Sequence, residues 1–254
     1  MIQLTIIRIE GYGPWTLTLG SDREAQLQML QARIYHDVQR LFSERDGIVF
    51  FNRFDEYFAI TNGFDADDHL RIQNELASQY DKMSMSMTIG AGKTAFEANL
   101  NAYRTRKEGR KMLDDKNNNS KIFGSINSHA DLAQIMHIDI DSSAKVGNWL
   151  SPYELTALVM KIYSRIAEDF LKHNSLAFFL GGDNIMVISN GMAKEQADEV
   201  LKKVTADNDI KLNCGIGIGK TGRKAAEAAT KALDTIRDLR ETGKIQTIYE
   251  IQCP

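Results

Sequence analysis

The chain is short of the residues that build disulfide frameworks and zinc sites. It holds two cysteines, Cys214 and Cys253, too few for a disulfide scaffold. It has no CxxC and no HExxH, and its five histidines, at 36, 69, 129, 137 and 173, are scattered, which excludes a Cys/His zinc signature. No apolar run approaches the roughly 18 residues that a membrane span needs. A surplus of one charge is also missing: the net charge is −3, which argues against non-specific nucleic-acid binding. The opening MIQLTIIRIEGYG has no basic lead and reads as a β-strand rather than a signal peptide. Composition therefore predicts a soluble, cytoplasmic protein, long enough for two domains with separate cores.

What is present is a repeat. FFNRFDEYFAITNG (Phe50 to Gly63) returns 128 positions later as FFLGGDNIMVISNG (Phe178 to Gly191), and IGAGKT (Ile89 to Thr94) returns as IGIGKT (Ile216 to Thr221) at an offset of 127. Two echoes at nearly one offset imply a duplicated domain. The copies differ at Arg53-Phe54-Asp55 against Gly181-Gly182-Asp183, an asymmetry that suggests one copy holds the reactive centre and the other helps to complete it.

In the first copy, Leu4 to Ile9 reads as a strand. Ser21, with Glu24 three positions on, reads as a capping box, followed by Leu27, Leu30, Ile34, Val38 and Leu41 at helical spacing. Gly47 to Phe54 and Tyr57 to Thr61 form a hairpin pattern, and Asp68 to Tyr80 a helix. Met83, Met85, Met87 and Ile89 alternate with small polar residues, which predicts a strand with one buried face. Thr94-Ala95-Phe96-Glu97 suggests a further capping box. The run Lys107 to Lys121 is polar, and its second half, from Asp114, predicts a linker. The expected domains are residues 1–113 and 127–254, joined by 114–126.

The second copy repeats the order. A strand lies within Leu132 to Ile140, and Ser151-Pro152-Tyr153-Glu154 combines a capping box with Pro at the first helical position. Strands at Ser175 to Leu180 and Ile185 to Ser189 flank a tight turn. Then come a helix (Ala193 to Ala206), a strand (Ile210 to Ile218), a long helix (Gly222 to Glu241) and a closing strand (Lys244 to Ile251). The fold class is α+β: two tandem ferredoxin-like domains, each an antiparallel sheet with helices on one face.

HIDID (His137 to Asp141) and GGDN (Gly181 to Asn184) are the strongest chemical constellation. In this fold the first strand and the central hairpin are neighbours, so Asp139 and Asp183 meet at one sheet edge. Two close carboxylates call for a cation or a proton between them. Oxygen donors favour Mg²⁺, which completes its shell with water and phosphate. His137 shares the face of Asp139 and suits either a general base or a hydrogen-bonded structural histidine. Lys93 and Lys220 sit in GKT, but a P-loop needs Gly where Met87 and Cys214 stand. Those segments read as strand-to-helix turns, from which Lys220 could still meet phosphate.

HIDID, FFLGGDN, NCGIGIGKT and ATKALDTIR resemble, in order, the signatures of GGDEF-type nucleotidyl cyclases and the polymerase palm. With IRIEGYGPWT, RFD, ITNG and SNGM added, nearly the whole chain is similar to the archaeal-type GTP cyclohydrolase III family. That resemblance implies tandem palm-like domains, Mg²⁺ (two or more ions), and a monovalent cation, K⁺ or NH₄⁺, as activator. It also implies a homo-oligomer, a dimer or tetramer. The reaction it implies opens the imidazole ring of GTP and removes two phosphates. The product is 2-amino-5-formylamino-6-(5-phosphoribosylamino)pyrimidin-4(3H)-one, a flavin and deazaflavin precursor. Asp139, Asp183 and the Ile140 carbonyl would hold Mg²⁺. Ser142 and Ser143 would offer N–H groups to phosphate, and Arg237 would pair with phosphate, with Arg110 as its counterpart in the first copy. Arg53 and Asp55 would contact purine or metal, and Asn184 substrate. Gly11 and Asp141 depart from the pattern, which expects Asn at both. Two other functions fit the same residues. A nucleotide cyclase would want a second carboxylate where Asn184 stands, and a GTP sensor would bind without turnover.

Overall fold

The structure, a computed structural model, describes residues 1–109, 121–127, 129–141, 150–206 and 210–253. The chain divides into two compact units: Met1–Gly92 with Glu97–Asp131, and Lys93–Phe96 with Leu132–Pro254.

The first unit runs β1 (Ile2–Glu10), α1 (Tyr12–Leu17), α2 (Glu24–Ser43), β2 (Ile48–Arg53), β3 (Glu56–Ile60), α3 (Ala66–Gln79), β4 (Ser84–Gly92), α4 (Ala95–Glu108) and β5 (Ile122–Phe123). Its sheet has the order β2-β3-β1-β4-β5. β1 is antiparallel to both β3 and β4, and β5 is parallel to β4. The second unit runs β6 (Ala133–Ile140), α5 (Pro152–Lys172), β7 (Leu176–Gly181), β8 (Asn184–Ile188), α6 (Lys194–Thr205), β9 (Leu212–Gly219), α7 (Gly222–Glu241) and β10 (Ile248–Gln252). Its sheet order is β10-β9-β6-β8-β7, with β10 parallel to β9. In both, the first strand lies between the third and fourth strands, the ferredoxin-like order. A parallel strand is added beyond the fourth.

Alternation along the central strands sorts the core. In the second unit Met136, Ile138, Cys214 and Ile216 pack with Ile162, Ile166 and Phe170 of α5 and with Val200, Leu201 and Val204 of α6. Positions of the other parity on β9 face α7. A Cβ on Gly217 would lie 2.1 Å from the Ala225 carbonyl oxygen, and one on Gly215 would lie 2.1 Å from that of Ala229. Only glycine permits that approach. Helices therefore cover both faces of the sheet, not the single face expected from the sequence. The same holds in the first unit: Ser86 and Thr88 are buried along with Met85 and Met87, so β4 has no open face.

Other local signals differ in instructive ways. The Ser151 capping box forms, with Glu154 N–H donating to Ser151 Oγ and Ser151 N–H to Glu154 Oε2. The Ser21 box does not. The helix begins at Glu24 behind Arg23, whose backbone is already helical (φ −92°, ψ −19°), whereas a side-chain cap needs extended backbone. The short helix α1 occupies part of the preceding stretch. The sequence predicts a second domain from 127 and a linker over 114–126. Its residues Ile122 and Phe123 are instead the edge strand β5, with Ile122 fully buried, and the first unit extends to Asp131. Residues 110–120 lie outside the described set. Among the described residues no helix is long and apolar enough to cross a membrane.

Candidate active site

The second unit gathers polar side chains where β6 ends and β8 begins. The β6–β8 register runs to Ile138 opposite Ile185. One step further come Asp139 and Asn184, with Asp183 next in the β7–β8 turn. That turn needs glycine: Gly181 and Gly182 adopt φ of 107° and 61°, a region costly for other residues. On its other side β6 pairs with β9, placing Asp139 opposite Asn213. α7 crosses this face through the glycine contacts.

Asp139 is the buried member, its side chain 9% exposed. Asn213 Nδ2 donates to its Oδ1 at 3.0 Å, and Arg237 donates to its Oδ2 at 2.7 Å. Those bonds offset the cost of burying a carboxylate, and they use only part of its acceptor capacity. The same carboxylate pushes Arg237 above its ordinary range. A second layer surrounds the pair. Arg240 donates to Asn213 Oδ1 and to Asp141 Oδ1, both at 2.9 Å, and Arg237 also reaches Asp234.

Asp183 enters through a different chain of bonds. Asn184 Nδ2 donates to Asp183 Oδ1 at 3.0 Å, which turns the amide oxygen of Asn184 toward His137. That oxygen can only accept, so His137 Nε2 carries the proton across 3.0 Å. His137 Nδ1 is hydrogen-bonded to the Thr230 hydroxyl at 3.2 Å. Both ring nitrogens are engaged.

The other expected site residues fall elsewhere. Lys220 is exposed in the turn before α7, where Thr221 Oγ1 caps Lys224 N–H. It adjoins the Gly219 end of β9, about 20 Å along the strand from Asn213, so it does not join the Asp139 cluster. Arg53 and Asp55 belong to the first unit, where they pair with each other at 3.3 Å, and Arg53 also reaches Glu56 at 3.5 Å. Ser142, Ser143 and Arg110 lie outside the described residues. Sequence reasoning passed over Asn213, Thr230 and Arg240. Their signals were present. Asn213 has the strand parity of Gly215 and Gly217. Thr230 and Arg237 are two helical turns apart, and Arg240 follows three residues later, all on one side of α7.

Among the described residues no three His, Cys, Asp or Glu side chains gather as a metal cage. The donors at the edge are carboxylates, joined by main-chain carbonyls at the strand end. That chemistry fits a hard cation that keeps water and phosphate in its shell.

The fold and this edge define a tandem ferredoxin-like protein whose second repeat brings Asp139, Asn213 and Arg237 together at the end of its first strand. The family described as GTP cyclohydrolase III matches residues 1–250. The chain is 38% identical over 245 residues to GTP cyclohydrolase III of Methanocaldococcus jannaschii, covering 93% of this chain and 88% of the relative. It is 36% identical over 239 residues to that of Methanothermobacter thermautotrophicus, covering 93% and 95%. The chain belongs to the GTP cyclohydrolase III family. Among solved structures, a GGDEF domain from Pseudomonas aeruginosa overlaps 50% of this chain and 86% of its own length, at 16% identity and a TM-score of 0.38. That overlap is too weak to carry an argument, and the fold assignment rests on strand order.

Proposed function

We propose that the chain hydrolyses GTP at the Asp139–Asp183 edge of the second unit, opening the imidazole ring and releasing two phosphates. One water adds to the carbon between N7 and N9. The bond to N9 breaks, N9 takes a proton, and a formyl group stays on N7. Two further waters release the phosphates. The product is the formylaminopyrimidine ribonucleotide monophosphate. The observation that carries the reading is the whole-chain family match together with an edge where carboxylates and a guanidinium adjoin.

In this reading Asp139, Asp183 and the Ile140 carbonyl hold Mg²⁺, which when bound supplies Lewis acidity, water activation and a phosphate clamp. A monovalent cation, K⁺ or NH₄⁺, is the proposed activator. The Asp139–Arg237 ion pair marks the electrostatic demand of the site: the carboxylate wants a cation and the guanidinium wants an anion. A metal-bound triphosphate provides both. Asn184 and His137 hold Asp183 in place. Asn213 and Arg240 do the same for Asp139 and Asp141. Asn184 spends its amide on Asp183 and His137, which leaves no second carboxylate of the kind the cyclase reading wants there. Cytoplasmic location and a homo-oligomeric state, a dimer or tetramer, belong to the same proposal and follow from the family.

Incubation with GTP and Mg²⁺ tests this. The expected result is formamidopyrimidine absorbance with two phosphates per GTP, abolished by EDTA. A cyclic nucleotide would replace the hydrolase reading, and tight GTP binding without turnover would make the chain a sensor.

A further inference from the structure

The first unit has a cleft at the place where the second unit has its acidic edge. The registers fix the equivalence. Arg8 lies opposite Glu56 and Ser86, as Asp139 lies beside Asn184 and opposite Asn213. Glu56 and Asn184, and Ser86 and Asn213, keep the sequence-repeat offsets of 128 and 127, whereas Arg8 and Asp139 are 131 apart and are matched by strand register. The cleft has a volume of about 560 Å³, within the range of small-molecule sites. Arg8, Glu56, Thr88, Tyr103, Arg106 and Lys107 are on its wall.

The cleft exists for a steric reason. Thr88 stands where Gly215 stands in the second unit. α7 lies on Gly215, with Leu233 N only 2.5 Å from where a Cβ would be. The Thr88 side chain forbids that approach, so α4 hugs β4 at Gly90, where a Cβ would meet Ala98 O at 2.3 Å, and stands off beyond it.

Charge at the cleft is reversed. Arg8, Glu56, Arg106 and Lys107 correspond to Asp139, Asn184, Leu233 and Asp234. At these four positions three cations and one carboxylate stand where the second unit has two carboxylates; Glu10 adds a carboxylate behind Arg106, and Arg237 a cation on Asp139. Both guanidiniums are paired, Arg8 with Glu56 on the same wall and Arg106 with both oxygens of Glu10 at 2.7 and 2.9 Å. A guanidinium has five N–H donors, so each keeps donors beyond these pairs. Lys107 is exposed, and Tyr103, 60% exposed, offers an aromatic face on the same wall.

We propose that this cleft is a second nucleotide site, one that needs no metal, with phosphates on Arg8, Arg106 and Lys107 and the base stacked on Tyr103. Positive side chains do here what a divalent cation does at an acidic edge: they neutralise the polyphosphate. The proposal is independent of turnover in the second unit.

Equilibrium dialysis of GTP against the full-length protein in EDTA tests it, with pyrophosphate as the second probe. One GTP per chain is expected to bind. Lys107→Glu should weaken both probes at least tenfold, Tyr103→Ala should weaken GTP but not pyrophosphate, and Asp183→Asn should change neither. Arg8→Gln should also weaken both. Because it leaves Glu56 unpaired, Lys107→Glu and Tyr103→Ala, both at exposed positions, decide the matter if it fails to fold. Absence of saturable GTP binding in EDTA overturns the proposal, as does binding that neither Lys107→Glu nor Tyr103→Ala affects. Equal affinity for pyrophosphate and GTP, unmoved by Tyr103→Ala, overturns the nucleotide assignment.

Discussion

Where β6 carries Asp139 beside Asn184, β1 carries Arg8 beside Glu56, on strands that pair in the same order. In the first unit the buried carboxylate is already paired. Glu56 is 7% exposed and takes bonds from Arg8 and from Asn52 Nδ2, so no outside cation is required. In the second unit Asp139 shares an exposed arginine, and Asp183 accepts a bond from the Asn184 amide. The two copies share a strand order while the side chains at the matching edge differ: an arginine- and lysine-lined cleft in the first unit, a carboxylate-bearing edge in the second. Fold survives such a change because the core alternation lies on the other strand parity, facing α5 and α6 in the second unit.

The largest effect that would sharpen this contrast is catalytic. Asp183→Asn should lower Mg²⁺-dependent phosphate release by about 10²–10³-fold, the scale of losing a transition-state electrostatic contact, with unchanged circular dichroism. Asp55→Asn, its counterpart in the first unit, should cost far less; equal losses would break the assignment of chemistry to one copy. Next is packing. Gly215→Ala should destabilise by about 3 kcal/mol through overpacking against α7, read from the denaturant midpoint. Thr88→Gly should cost only about 1 kcal/mol of strand stability. Third, Asn184→Ala removes the link between His137 and Asp183 and should reduce turnover about tenfold, as an outer-shell change does.

The smallest effect concerns pH. His69 is buried in the first unit and bonded to Asp65 O and Thr5 Oγ1, at 2.7 and 2.8 Å. Burial holds its pKa below the ordinary value. Its folded form resists protonation, so its contribution is present above the unfolded pKa of about 6.5 and is lost as pH falls below it. The second unit has Ala197 at the matching position. Denaturant unfolding should therefore show the first unit weakening between about pH 7.5 and 5.5, with His69→Gln flattening that slope.

Much of the fold was legible in the residues. The hairpins, the α7 span Gly222–Glu241 and the Ser151 cap depend on local chemistry: strand alternation, a 3.6-residue stripe, a hydroxyl three residues ahead of a glutamate. The Ser21 cap failed because cap geometry depends on the incoming backbone, which α1 and Gly20 redirect. Strand β5 was hidden in a polar stretch because two residues, Ile122 and Phe123, give too short a pattern. Two-sided burial of β4 and β9 was also hidden, since small residues look polar or neutral until a helix backbone is found against them.

The sequence by itself determined the duplication, the strand order within each copy and the pairing of HIDID with GGDN. Those follow from local periodicity and from a repeat visible in the residues. Only the tertiary structure decided that Arg237 lies on Asp139, that Asn184 joins His137 to Asp183, and that Arg8, Arg106 and Lys107 share a cleft. Hydrogen bonds between residues 47 or 98 positions apart depend on register and helix packing in space, which no pattern along the chain encodes.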